Sequence, residues 1–187
     1  MAESFPHILE HPGSVTMWSY WSGLNAGRMP SARDWDPVRI PKLMPWCTIF
    51  ERGGETGFRI RFAGTAICDF YGFEMTGNPV GRIAADNARD QYLDSIEEAL
   101  ARPCGRLTRI EGRSNMGKVC QFEVLSLPLS DDDGSALRLV NHQAIVDTIT
   151  YGDARSEFSR PSLSVWLDIG AGVPENGNVR PAKMSEI

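Results

Sequence analysis

The stretch from Gly57 to Thr65 constrains the fold more than any other part of the chain. Large apolar residues alternate in it with two arginines, in the order Phe58, Arg59, Ile60, Arg61, Phe62. Because side chains alternate between the faces of an extended strand, this spacing predicts a half-buried strand with both arginines on its outer face. The corner Ala63-Gly64-Thr65 and the later Gly72 predict a short helix over 66–71 directly after the strand.

Composition narrows the class of protein. The chain has 187 residues, of which 42% are hydrophobic and 23% charged, which is typical of one globular domain with extensions. The net charge of -5 argues against direct binding to nucleic acid, which requires an excess of Lys and Arg over carboxylates. We therefore expect no nucleic-acid partner.

The same sequence predicts a cytoplasmic protein. It has no apolar run near the ~20 residues that a membrane span requires, and its N-terminus lacks the basic start and apolar centre of a signal peptide. The four cysteines, Cys47, Cys68, Cys104 and Cys120, are widely spaced and form no Cys-x-x-Cys pair. We expect them to be reduced thiols, most of them buried.

The N-terminal third predicts a flexible arm over 1–13 and a helix with a helical-turn connection over 14–45. Ser14 is a suitable N-cap for a helix that would run to Ala26. Trp18, Trp21 and Leu24 would lie along one edge of that helix. This edge could cover the domain core or form a dimer seam, because aromatic residues are enriched in both settings.

The remaining pattern predicts a core over 46–150. A strand over 46–51 would form a hairpin with the Gly57–Thr65 strand, and Asn87 would cap a helix over 88–101 with Leu93, Ile96 and Leu100 on its core side. Three antiparallel strands are expected over 106–112, 118–129 and 137–148. The apolar phase changes within the second of them, which requires a bulge or burial of both faces, the N-terminal helix being the expected cover. Residues 151–187 would form an extension that is largely disordered from 170.

This element order, and several short segments within it, resemble the PAS_5 group of short alphaproteobacterial PAS-like proteins. The matching segments are Trp18 to Leu24, Gly27-Arg28-Met29-Pro30, Arg33-Asp34, Asp36-Pro37, Leu43-Met44-Pro45, Phe58 to Thr65, Gly72, Thr76-Gly77, Leu127-Pro128-Leu129-Ser130 and Asp133-Gly134. The resemblance covers residues 14 to 148 and implies an α+β sensor fold with a five-stranded antiparallel sheet flanked by helices. It implies no catalysis and identifies no ligand.

No motif in the sequence predicts a metal or cofactor site. His7 and His11 are followed by Pro12 and lack a third ligand nearby, and Asp131 to Asp133 lack the glycine and glutamate spacing of a calcium loop. Cys68 does not lie in the Asn-Cys-Arg-Phe type of motif that flavin photosensors use. A haem would need an axial histidine such as His142, but a single strand histidine is more typical of a hydrogen-bonded core group. We expect no metal, and we do not expect flavin or haem.

The sequence thus predicts a non-catalytic sensory or regulatory module in bacterial signalling that binds a small ligand, a partner protein, or both, as a homodimer. The candidate pocket residues are Phe62, Phe70, Tyr71, Leu93, Ile96, Phe122, Val124 and His142. The candidate dimer or partner surface is Trp18, Trp21, Leu24, Arg59 and Arg61. Two alternatives stay open: a small α+β barrel enzyme acting on an apolar molecule with His142 and Asp147 as an acid/base pair, and a structural adaptor that assembles through the N-terminal helix.

Overall fold

The computed structural model describes residues 7–53, 57–84, 88–151 and 162–175. Its helices and strands are α1 (Pro12–Leu24), β1 (Cys47–Arg52), β2 (Phe58–Ala63), α2 (Thr65–Tyr71), α3 (Arg89–Ala101), β3 (Gly105–Arg113), β4 (Lys118–Ser130), β5 (Ala136–Tyr151) and β6 (Leu163–Leu167). Short 3₁₀ turns occupy Pro37–Arg39, Met44–Trp46 and Val80–Ile83.

The strands form one antiparallel sheet in the order β2-β1-β5-β4-β3-β6. This confirms the predicted α+β class, with an antiparallel sheet flanked by helices. The predicted strand number of five is wrong, because β6 pairs with β3 from Gly105↔Leu167 to Arg109↔Leu163. β6 has only five residues and shows no clear alternation along its sequence, so periodicity gave too weak a signal for it.

Each face of the sheet packs against its own layer. On one face, α2, α3 and the 3₁₀ turn at 80–83 cover Phe50, Ile60 and Leu139. On the other face, α1 and the connection after it cover Leu125, Leu127 and the residues around them. The central strands are therefore buried on both sides. Because successive side chains of a strand point to opposite faces, neighbouring residues in these strands pack against different layers.

Helix α1 begins three residues earlier than predicted, because its N-cap is His11 and not Ser14. His11 caps it by accepting a hydrogen bond at Nδ1 from the Gly13 amide, 3.0 Å away, and Pro12 occupies the first turn, where its missing N–H is no loss. Ser14, the predicted cap, is instead wholly buried within the helix. Trp21 anchors α1 to the sheet, since it is fully buried and its Nε1 donates to the Pro128 carbonyl oxygen at 3.0 Å.

The alternation predicted for the Gly57–Thr65 stretch is correct for Phe58 and Ile60 and wrong for Phe62. In the β1–β2 ladder Ile49 pairs with Phe62 and Phe50 pairs with Ile60, so Arg61 is an extra, bulged residue. A bulge of this kind reverses the facing of the residues beyond it. Phe62 therefore packs with the cluster beneath α1 instead of the cluster beneath α3.

The change of apolar phase in β4 is accompanied by both predicted features, bulges in the strand and burial of both its faces. The β4–β5 ladder is irregular between Val119 and Cys120 and between Gln121 and Phe122, and β4 is buried on both faces. Leu125, Leu127 and Leu129 lie in the same cluster as Met17 and Trp21 of α1. The N-terminal helix is thus the element that covers them.

The N-terminal segment before α1 lies against the sheet where the structure describes it. Leu9 is 8% exposed, and the amides of Glu10 and His11 donate to the carboxylate of Glu123, a residue with no exposed surface, at 2.9 and 3.2 Å. Residues 1–6, the proposed cap Asn87, and most of the predicted C-terminal extension (152–161 and 176–187) lie outside the described residues. The division into arm, helix, core and extension remains a prediction. Within the described ranges, no helix is long and apolar enough to cross a membrane.

Candidate ligand cavity

A cavity of about 130 Å³ lies between α3 and the sheet. Tyr92, Ser95, Ile96 and Ala99 of α3 form its roof, and strands β3, β4 and β5 form its floor. Its side walls come from Phe50, Tyr71 and Ile83, and Leu139 of β5 belongs to the floor. An engineered apolar cavity of about 150 Å³ in another protein binds benzene, so this volume suits a single ring.

One row of the floor is polar across three neighbouring strands. Arg106 of β3 lies opposite Ser126 of β4, and Ser126 lies opposite Asn141 of β5. Directly opposite pairs share a face, and all three residues line the cavity. Asn141 is held in place by Thr48 of β1, since its Nδ2 donates to Thr48 Oγ1 at 3.2 Å and to the Leu139 carbonyl oxygen at 3.3 Å.

The next row of the floor carries Gln143 beside Val124. Gln143 is 8% exposed, and its side-chain amide has no hydrogen-bond partner among the described residues. The amide atoms are not among the wholly buried side-chain atoms that lack a partner, so they keep accessible surface and face the cavity, where a ligand or water can bind them. Gln143 therefore points to a site that holds a polar group.

The opposite end of the floor is apolar and aromatic. Phe122 is 1% exposed and makes an edge-to-face contact with Phe70, at 5.1 Å between ring centroids. Phe70 contacts Tyr71 at the same separation. Gly112 makes room for this cluster, because a Cβ there would lie 2.7 Å from Cε2 of Phe122. Burial raises the pKa of Tyr71 and of Tyr92, so both phenols are neutral.

Arg106 is held at the polar end by β6. Its Nε donates to Ser164 Oγ at 3.0 Å, and its guanidinium lies over the Trp166 ring at 5.0 Å from the centroid. No carboxylate lies within salt-bridge distance of it among the described residues. Burial lowers the pKa of Arg106 from its ordinary value, yet an arginine remains protonated at neutral pH. The cavity wall thus carries a half-buried cation that forms no ion pair with the described residues, although the Glu98 carboxylate acts on it electrostatically.

The structure brings four of the eight predicted pocket residues together in this cavity: Tyr71, Ile96, Phe122 and Val124. Phe70 lies behind them in contact with Phe122 and Tyr71, and Leu93 packs in the same cluster, close to Gly81. Phe62 and His142 lie on the opposite face of the sheet, beneath α1. Phe62 faces away from the cavity because of the bulge at Arg61. His142 faces away from it because its neighbours Asn141 and Gln143 face the cavity, and successive residues of a strand point to opposite faces.

His142 is a buried core histidine. It is 2% exposed, and its Nδ1 lies 3.3 Å from the hydroxyl oxygen of Ser14. Burial, with a smaller contribution from neighbouring His11, lowers the pKa of His142 to about 4. At neutral pH it is an uncharged imidazole that fits beneath the first turn of α1.

The predicted partner surface divides into buried and accessible parts. Trp21 is wholly buried within its own chain, whereas Trp18 is half-buried and stacks on it at 5.6 Å between centroids. Leu24 is half-buried at the end of α1. Arg59 and Arg61, with side chains 53% and 49% exposed, both contact the carboxylate of Glu51 on the outer part of the sheet.

Sequence reasoning missed the polar floor of the cavity. Arg106, Thr108, Ser126, Asn141 and Gln143 line it but were not named as candidates. A usable signal was present in β5, because Asn141 and Gln143 are polar residues on the same face of a strand whose neighbouring positions Leu139, Val140 and Ala144 are apolar. In the part of the chain that the structure describes, no group of three or more His, Cys, Asp or Glu side chains is placed to hold a metal ion.

This chain matches one protein-family model and is similar to several solved structures. A family model described as a PAS domain, PAS_5, matches residues 9–142. No curated protein sequence matches the chain. The match to an RNA-binding Light-Oxygen-Voltage receptor has a TM-score of 0.47 and 15% identity, and covers 58% of this chain and 32% of the receptor. The chain thus spans about a third of that receptor.

Two further solved structures are similar at low identity. A PAS domain from Colwellia psychrerythraea matches with a TM-score of 0.46 and 11% identity over 58% of this chain and 95% of its own. A Rhodobacter sphaeroides LOV protein matches with a TM-score of 0.44 and 10% identity over 60% of this chain and 69% of its own. The family match extends from the segment before α1 to His142 in β5, which is well over half of the chain, and on that match the protein belongs to the PAS_5 family of PAS domains.

Proposed function

We propose that this chain is a non-catalytic sensory module of bacterial signalling that holds a small molecule in the cavity between α3 and the sheet. The observation that carries the proposal is the Gln143 side-chain amide, which lines the cavity floor and makes no hydrogen bond with the described residues. This amide has donors and an acceptor that no described residue uses, so it can hydrogen-bond a molecule in the cavity. A molecule with one polar end and one apolar end would satisfy both parts of the wall.

The same strands connect the cavity to the surface beneath α1. Asn141 and Gln143 face the cavity, and His142 between them faces Ser14 of α1. A ligand that moves β5 would therefore also move His142, on which the first turn of α1 packs. We propose that α1 transmits the ligand-bound state to a partner. Its accessible edge, formed by Val15 (37% exposed) and half-buried Trp18, is the surface through which we propose that the chain forms a homodimer.

The arginines of the outer sheet support binding of an acidic partner protein. Arg59, Arg61 and Arg138 all contact the single carboxylate of Glu51, which leaves this group of side chains with an excess of positive charge. Such a patch favours a partner with acidic side chains through charge complementarity. Replacing both Arg59 and Arg61 by Gln should weaken binding of a poly-glutamate peptide, whereas Arg39→Gln should leave it unchanged; equal binding would contradict this docking surface.

Binding is favoured over catalysis by the position of the ionisable groups. The alternative enzyme needs His142 and Asp147 as an acid/base pair, but His142 lies under α1 and Asp147 is exposed further along β5. Neither residue lines the cavity. The buried, unpaired thiols of Cys47 and Cys104, whose pKa values burial raises to about 12 and about 11, are consistent with the proposed cytoplasmic location.

Native mass spectrometry tests the ligand proposal. The freshly purified chain, and the same chain after incubation with a bacterial metabolite extract, are compared before and after denaturation. We expect a non-covalent adduct of one small molecule that is released on unfolding. A chain that stays without an adduct under both conditions would contradict ligand sensing.

A further inference from the structure

We propose that the cavity is selective for a small carboxylic acid with one apolar ring, and that Arg106 binds its carboxylate. This inference rests on the proposed function, since it names the ligand class of the same cavity. It is carried by the position of Arg106 among the lining residues, together with the apolar end formed by Phe122 and Tyr71.

The guanidinium of Arg106 is oriented before any ligand arrives. Its Nε is used by Ser164 Oγ and its flat face by the Trp166 ring, so both contacts come from β6. Its two terminal nitrogens make no hydrogen bond with the described residues. These nitrogens form the fork that binds a carboxylate through two parallel hydrogen bonds.

Charge supports an anion at this end of the cavity. Among the described lining residues, Arg106 alone carries a charge. The Glu98 carboxylate acts on Arg106 electrostatically but forms no ion pair with it, so a carboxylate bound directly to the guanidinium would further stabilise this partly desolvated cation. The net charge of -5 belongs to the whole chain, and salt screens those of its exposed carboxylates that lie more than about 8 Å from the ligand.

Shape supports one ring at the other end. Phe122, Tyr71 and Ile110 present apolar surface opposite the polar row, beneath Ile96 of α3. The volume of about 130 Å³ is close to that of the cavity known to hold benzene. Ser126 lies beside Arg106 in the polar row and Gln143 lies in the next row, where they can bind the second carboxylate oxygen and a ring substituent.

The experiment compares benzoate with benzamide, which has the same shape and no charge. Affinities are measured by calorimetry or by NMR titration on the full chain, with Arg106→Gln as the test variant and Arg39→Gln as the control. Arg39 is an exposed arginine in the 3₁₀ turn at 37–39, so the control removes the same charge away from the cavity. A cavity-filling Ala99→Leu variant shows whether either compound binds in the cavity, since Ala99 is 1% exposed in its roof.

In the parent chain we expect benzoate to bind about ten- to a hundredfold more tightly than benzamide, the range for a hydrogen bond to a charged group. Arg106→Gln should abolish this preference, Arg39→Gln should keep it, and Ala99→Leu should weaken both compounds. If Arg106→Gln fails to fold, the parent comparison decides, and Arg106→Lys, which keeps the charge and loses the fork, should reduce the preference.

Equal affinity of the parent for both compounds, or no saturable binding of benzoate, would overturn the assignment of a carboxylic acid. Benzoate binding that survives Ala99→Leu unchanged would also overturn it, because the site would then lie elsewhere. In each of these cases an adduct found by native mass spectrometry would still support the proposed sensing function, so failure of the ligand class and failure of the function are distinguishable.

Discussion

The imidazole of His142 lies beneath the first turn of α1, with its Nδ1 3.3 Å from the hydroxyl oxygen of Ser14. Burial lowers the pKa of His142 from 6.5 to about 4 in the folded chain. The unfolded chain therefore takes up this proton at a higher pH than the folded chain does. The free energy of unfolding should fall by about 3 kcal/mol as the pH decreases from 6.5 to 4.

Urea unfolding at a series of pH values checks this, with His142→Gln as the test. Loss of the imidazole should remove this part of the pH dependence, whereas Ser14→Ala, which keeps the imidazole, should preserve it. If His142→Gln shows the same slope between pH 6.5 and 4 as the parent chain, protonation of His142 does not control the stability of this face.

Two glycines of α1 give a matched pair for its packing. A Cβ at Gly13 would lie 2.9 Å from both Nδ1 of His11 and Cε1 of His142, whereas a Cβ at Gly23 meets no atom within 4 Å. We expect Gly13→Ala to destabilise the chain by about 1–3 kcal/mol through overpacking, and Gly23→Ala to stabilise it by about 0.5–1 kcal/mol through helix propensity. Chemical denaturation measures both; variants of equal stability would show that α1 is not seated on His142.

The two stacked tryptophans of α1 should differ in their effect on stability. Trp21→Phe removes buried volume and the hydrogen bond to Pro128, and should lower the free energy of unfolding by about 2–4 kcal/mol. Trp18→Phe, at a half-buried position, should cost less than about 1 kcal/mol. If Trp18→Phe lowered the free energy of unfolding more than Trp21→Phe, α1 would not pack on the sheet through Trp21 as described.

The sequence predicted those parts of the fold in which local pattern and burial agree. Alternation located β1, β3, β4 and β5 to within a few residues, and Gly72 ended α2 as expected. It was wrong at Phe62, because the bulge at Arg61 depends on pairing with β1, and a single strand does not reveal its partner. It also overlooked β6, whose five residues become a strand through pairing with the edge of β3.

The candidate site was predictable only in its apolar half. Tyr71, Ile96, Phe122 and Val124 belong to patterned core positions, so their convergence follows from the fold. Arg106 resembles any other arginine in a strand until Ser164 and Trp166 of β6 are placed beside it. The polar row depends on the register of three strands, and register is set by long-range pairing that the local sequence does not specify.

The proposed homodimer makes a separate prediction about solution mass. Sedimentation of the parent chain should show a dimer, and replacing the half-buried Trp18 by Ser should shift it toward monomer. Trp21→Phe should leave the mass unchanged, because Trp21 is wholly buried within its own chain. A monomeric parent chain, or a Trp18→Ser variant that stays fully dimeric, would contradict assembly through this edge.

The central claim is that a small molecule occupies the cavity between α3 and the sheet. Amide chemical shifts of the isotopically labelled chain, recorded before and after addition of a bacterial metabolite extract, test it most directly. The account predicts saturable shifts concentrated at the cavity, around Tyr92 to Ala99 of α3 and around Arg106, Val124 and Gln143 of the floor. Unchanged spectra, or shifts confined to exposed positions away from these residues, would contradict it.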